Sequence, residues 1–192
     1  MSFHRADLIE ATLDLAIASA AVSNFCDHVE HNEPADLSDV RNAAAILRST
    51  AVRLALKVGE DPVRLYADRL AMIEARNVLR CEELPDGYEA ARETVDWRSL
   101  QLIQAAHDRA YHADVVGLTK SDQLRHYALH LSKLAGATAR VARREVPHED
   151  WLRRRVADML LFGLKLSTVT SECLPETTVE TSSAPHTLEA AV

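Results

Sequence analysis

The feature that most constrains this chain is the spacing of its apolar residues across long stretches free of glycine and proline. Residues 1–33, 35–58, 63–84 and 88–116 contain neither. Within them, leucine, isoleucine, valine and alanine recur at steps of three and four, which lines one side of a helix. Over residues 5–31 the stripe is Leu8, Leu13, Leu15, Ile17, Val22 and Phe25. The segment around Pro34 interrupts it. Asp36 is the expected N-cap of a second helix reaching about Val58, with Val40, Ala44, Leu47, Ala51 and Leu54 on one side.

The later segments carry stronger start signals. Asp61 precedes Pro62, which suits a first helical turn because its missing N–H would be unpaired there anyway. That helix is expected to continue to about Cys81. Leu84-Pro85-Asp86-Gly87 reads as a turn. Asp96 caps an expected helix over 97–112, and the segment from Ala113 to Ser121 reads as a loop. Thr119 and Asp122 have capping-box spacing and open a helix to Arg144. After Pro147 a last helix spans 149–169. Residues 173–192 are small and polar and read as a mobile tail.

The expected fold is therefore an all-α bundle of five to six helices in one domain, residues 1–172. The stretches 45–72 and 132–160 share a helix–break–helix layout, so two stacked helical hairpins are an expectation. Leftover apolar surface on long alanine-rich helices leads to the expectation of a homodimer.

Charge and cysteine usage narrow the function classes. The net charge of −7 argues against general nucleic-acid binding, which needs a basic surface to displace counterions. Arg140, Arg143, Arg144, Arg153, Arg154 and Arg155 form a local basic patch. Cys26, Cys81 and Cys173 are far apart, which supports neither a zinc ribbon nor a disulfide framework and fits a reducing cytoplasm. Asp7, Glu10 and Asp14 interrupt the N-terminal apolar segment, so neither a secretion signal nor a membrane span is expected.

The histidine-rich stretch 107–131 holds the candidate metal ligands. His126 and His130, one turn apart, can aim their rings at one point, while Asp108 and His112 can approach from the preceding helix. Such a set would suit Zn, Mn or Fe. On the helix over 97–112, His107 is expected on the core side and Asp108 on a polar flank.

The layout of "WRSLQLIQAAHDR", "QLRHYALHLSKLAGATARVARRE" and "DWLRRRVADMLLFGLKLSTV" resembles the MazG-like all-α nucleoside triphosphate pyrophosphohydrolases. In that family an E-x-x-E pair and an E-x-x-D pair on successive helices hold Mg²⁺ against a triphosphate. Asp158 stands at the position of the family's aspartate. Arg155 replaces the glutamate before it, and Lys133 and Gly136 replace the first pair. Glu74-x-x-Asn77 is a second, partial match, and the His107–Asp108 dipeptide resembles that of the HD metal phosphohydrolases. The resemblance implies a helical protein with a degenerate Mg²⁺ site that binds a nucleotide or phosphorylated ligand through Arg144, Arg154 and Arg155. A metal-dependent bundle using Asp108, His112, His126, His130 and Asp158 with Mg, Mn or Zn, and a helical interaction module without a ligand, are the alternative expectations.

Overall fold

The computed structural model describes residues 3–77, 91, 96–143 and 149–179, and within these the chain is all-helical. Seven helices are described: α1 (Arg5–Glu30), α2 (Ser38–Lys57), α3 (Pro62–Asn77), α4 (Trp97–Tyr111), α5 (Ala113–Val116), α6 (Lys120–Arg143) and α7 (Glu149–Val169). The short α5 occupies the segment expected to be a loop. The Leu84–Gly87 turn and the 78–81 end of the third helix lie outside the described residues.

Side-chain caps start three helices where the sequence signals them. Asp61 accepts from the Val63 N–H at 2.8 Å, and Asp96 accepts from Ser99 N–H at 2.8 Å. Thr119 Oγ1 accepts from Asp122 N–H and donates to its carboxylate. Asp36 differs from expectation. It bonds Ser38 N–H and Oγ and so sits one residue ahead of the N-cap, Leu37.

Three helices end in a Schellman motif, in which a residue of positive φ lets two following N–H groups reach back to orphan carbonyls. After α2, Gly59 (φ 76°) bonds Leu56 O, and Glu60 N–H bonds Ala55 O. Asn32 (φ 54°) and Ser171 (φ 56°) fill the same position after α1 and α7.

Two antiparallel hairpins, α1–α2 and α6–α7, form the central bundle. α1 packs most heavily on α6, and α2 on α7. Of the two expected hairpins, the one over 132–160 corresponds to α6–α7, whereas α2 packs mainly on α7 and α1 rather than on α3. A polar ladder aligns α1 with α2: Lys57 bonds Asp7, Arg53 bonds Glu10 at 2.8 Å, and Thr50 bonds Asp14 at 2.5 Å. Ser19 of α1 bonds Ser132 of α6 at 2.7 Å. α3 and α4 lie against α7, which is buried over nearly its whole length from Val156 to Ser167.

The α2–α7 contact is close because residue 163 is glycine. A Cβ there would stand 2.7 Å from Arg48 Cγ and 3.1 Å from Ala44 O. Arg48 is itself buried. It reaches Ser167 and both carboxylate oxygens of Glu172 and lies over the Trp97 ring.

Two expectations about faces are corrected. Leu13 and Ile17 do not join the core stripe of α1, which is instead Leu8, Ala11, Leu15, Ala18, Val22 and Cys26. On α4 the buried side is turned toward Gln101, Gln104 and Asp108, while Ile103 and Ala110 are only half-buried. Residues 174–179, expected to belong to a mobile tail, instead pack on the bundle. Leu174 and Val179 are buried, Gln101 bonds both Glu172 O and Leu174 N–H, and Trp97 N–H donates to Thr177 O.

Candidate functional site

The most polar part of the interior lies where α3, α4, α6 and α7 meet. Asp108 on α4 is 6% exposed and accepts from Lys165 Nζ of α7 at 2.6 Å. Gln104, one turn earlier on α4, donates to the same carboxylate oxygen at 3.0 Å. Tyr66 of α3 donates its hydroxyl proton to Gln104 Oε1 at 2.8 Å. The result is a buried chain, Tyr66 to Gln104 to Asp108 to Lys165, that crosses three helices. Burial, aided by the negative charge of Asp108, holds the Tyr66 hydroxyl well above the usual phenol range, so it stays a donor. Lys165 also lies 5.7 Å from the Tyr127 ring centre and 5.9 Å from that of Phe162, so aromatic faces support the part of its charge not met by Asp108.

Histidines surround this pair. His107 is 1% exposed, stacks on Tyr111 with ring centres 4.4 Å apart, and has its Nε2 3.5 Å from Glu74 Oε1. Burial pushes its pKa down to about 4, so at neutral pH the ring is uncharged and the Glu74 contact is not an ion pair. His112, at the end of α4, is also held below the usual histidine range, by burial and then by Lys165. His130 is lowered by burial and by His126, whose ring centre is 4.7 Å away. His130 stacks on Phe162 at 5.5 Å.

Above the Asp108–Lys165 pair opens a cleft of ≈ 260 Å³. Its wall includes Tyr127, Val116, Val169 and Thr168, and its rim carries Arg109 and Lys120. Both rim cations are exposed and make no ion pair with the described residues. Gln123 holds the rim in place by donating to Val116 O at 3.1 Å and Leu118 O at 2.9 Å, which ties α5 to the start of α6.

The sequence candidates distribute unevenly around this cleft. Asp108 is in its floor, but buried and bonded to lysine rather than on a polar flank. His126 and His130 are neighbours, as their spacing implied. Among the described residues no three His, Cys, Asp or Glu side chains converge in a metal-binding arrangement. Asp158 lies in a separate knot, with Arg69 Nε at 2.6 Å and Arg155 Nη1 at 3.0 Å. Two guanidinium groups on one carboxylate do not fit a Mg²⁺ ion there.

Of the three arginines expected to bind phosphate, Arg155 is engaged by a carboxylate. Arg155 serves Asp158 and lies over the Trp151 ring, and its neighbour Arg153 bonds Glu60 at 2.9 Å. Arg154 is half-buried and Arg144 lies outside the described residues. Sequence reading passed over Lys165, Gln104, Tyr66, Arg109 and Lys120. One signal was present: Lys165 is the only charge in the run from Met159 to Val169, and a lysine inside an apolar helix needs a buried partner.

No protein-family model, no curated protein and no solved structure matches this chain.

Proposed function

We propose that the cleft between α4, α6 and α7 binds a small phosphorylated ligand or another compact polyanion. The observation that carries this reading is the pair of rim cations, Arg109 and Lys120, which have no carboxylate partner among the described residues and stand above a floor already neutralised as Asp108–Lys165. An arriving phosphate would meet the fork of Arg109, which suits paired oxygens, and the mobile charge of Lys120. The volume is large enough for a phosphoryl group with a short organic remainder, and such a ligand would lie beside the aromatic wall of Tyr127.

A buried ion pair contributes little net stability, since removing two charges from water costs about as much as their attraction returns. Its position beneath an open cleft fits a role in recognition more readily than one in holding the bundle together. This differs from the binding mode implied by the MazG resemblance: cations on α4, α6 and α7 take the place of a carboxylate-held metal.

The reading is tested by thermal melting with a panel of inorganic phosphate, pyrophosphate and nucleoside mono-, di- and triphosphates. A ligand at a hundred times its Kd stabilises the folded state by about 2.7 kcal/mol. At least one phosphate compound is expected to raise Tm in the wild type and not in Arg109→Ala/Lys120→Ala. A flat panel, or a rise that survives the double substitution, would refute the reading.

The adjacent rings of His126 and His130 favour a second reading, a two-imidazole half-site for Zn²⁺ completed by ligand or water. Stoichiometric zinc that disappears in His126→Ala/His130→Ala would support it. Chain purified with zinc in the medium yet metal-free on elemental analysis would count against it.

A further inference from the structure

From the exposed side of α1 we infer that this protein forms a homodimer in which two copies of α1 pack antiparallel. The residues on that side are Ala6, Ile9, Leu13, Ala16, Ala20 and Ser23, all exposed. Their steps run three, four, three, four and three, the spacing of a coiled-coil seam. Ile9, Leu13 and the adjoining Ile17 are 47%, 58% and 54% exposed, although they are large aliphatic side chains. The core face of the same helix is already filled, so this is a second apolar stripe that the bundle leaves uncovered.

Two properties select a second copy as the occupant and fix its direction. The first is size. Large residues lie in the N-terminal part of the seam and small ones in the C-terminal part. In an antiparallel pair Leu13 faces Ala16 and Ile9 faces Ala20, so both bulky residues meet a small one, while Ala6 and Ser23 make a small layer at each end. A parallel pair would set isoleucine on isoleucine at one end and serine on serine at the other. A shallow groove of ≈ 220 Å³ beside Ser23, walled by Leu129 of α6, lies at the small end. Leu129 is 69% exposed and so extends the apolar face where the partner's bulky end would arrive.

The second property is charge. Exposed Arg5 flanks the N-terminal end of the seam, and Asp27 and Glu30 flank the other. Antiparallel packing brings Arg5 toward Asp27 of the other copy, whereas parallel packing would juxtapose like charges. It also opposes the two helix dipoles favourably. Both contacts occur twice across the two-fold axis, as an isologous interface requires.

α1 is also long and apolar enough to cross a membrane by length and composition, so a lipid surface is the competing occupant. The ladder of Asp7, Glu10 and Asp14 onto Lys57, Arg53 and Thr50 ties the helix into the bundle and favours the second copy.

Sedimentation of the full chain between about 1 and 100 µM, the range for a modest interface, is the test. The wild type is expected to become dimeric within that range, and Leu13→Glu to remain monomeric. Leu13→Glu is expected to keep the wild-type helical signal and the wild-type melting curve at the lowest concentration, because Leu13 supports nothing inside the monomer. Direction is read by oxidation with Cys81 and Cys173 replaced by serine: Leu13→Cys/Ala16→Cys is expected to cross-link into dimers, and Leu13→Cys alone to cross-link poorly. A wild type monomeric throughout would overturn the inference. So would a dimer unaffected by Leu13→Glu, efficient cross-linking by Leu13→Cys alone, or a monomer that sediments with lipid vesicles through this face.

Discussion

His107 shows how much a single side chain depends on its surroundings. Its ring is sealed between Tyr111 and the α3 side of the bundle, and desolvation outweighs the pull of Asp108. The folded chain therefore binds a proton at this ring far more weakly than the unfolded chain, where histidine titrates near 6.5. Acid then favours unfolding: stability is undiminished above pH ~6.5 and falls as pH drops through that value toward about 4. The loss attributable to His107 approaches about 3 kcal/mol at the acid end, and the lowered His112 and His130 act in the same direction. Urea unfolding at pH 7.5 and pH 5 checks this. A His107→Gln variant is expected to lose part of the pH dependence, and an unchanged slope would show that other groups cause it. Sequence placed His107 correctly on the inner side of its helix. It misplaced Asp108, because what buries that carboxylate is Lys165, 57 positions later in the chain. No local pattern on α4 encodes that partner.

At the scale of the element, start and stop signals were the most legible because they act over three or four residues. Asp61, Asp96 and Thr119 cap as their spacing implies. The four-residue α5 was not legible, since one turn carries no periodicity. Nor was the rotation of α4, whose buried face takes in the polar Gln101, Gln104 and Asp108. The α2–α7 contact gives an element-scale prediction. Gly163→Leu would force a side chain into space held by Arg48 and the α2 backbone. It should cost about 3 kcal/mol or more by overpacking, against about 1 kcal/mol or less for Gly117→Ala, where only one carbonyl is near. Chemical denaturation of the two variants compares them directly. Equal effects would mean that the helices can separate without loss.

For the whole molecule, the all-α fold was legible from the long stretches free of glycine and proline, and most of the buried face of α2 followed from its periodicity. The arrangement of the helices was not. Which amphipathic helix pairs with which depends on close approaches such as Gly163 and on the polar ladder between α1 and α2. The C-terminal segment was missed for a related reason: Leu174 and Val179 are too few to make a pattern, yet each is buried against the bundle. Ending the chain after Glu172 should therefore lower stability by about 2–5 kcal/mol, the burial energy of two aliphatic side chains plus lost hydrogen bonds. A truncated chain that melts like the full one would show that the segment rests on the surface without holding it. The cleft was illegible for the same long-range reason, because Arg109, Lys120 and Lys165 come from three helices.

We propose that Arg109 and Lys120, above the neutral Asp108–Lys165 floor, hold phosphate groups. Isothermal titration of pyrophosphate into the wild type and into Arg109→Ala/Lys120→Ala at low salt tests it most directly. The expected result is saturable 1:1 binding that weakens at least about tenfold in the double variant and declines as salt screens the site. Absence of saturable binding, or equal affinity in the two proteins, would contradict it.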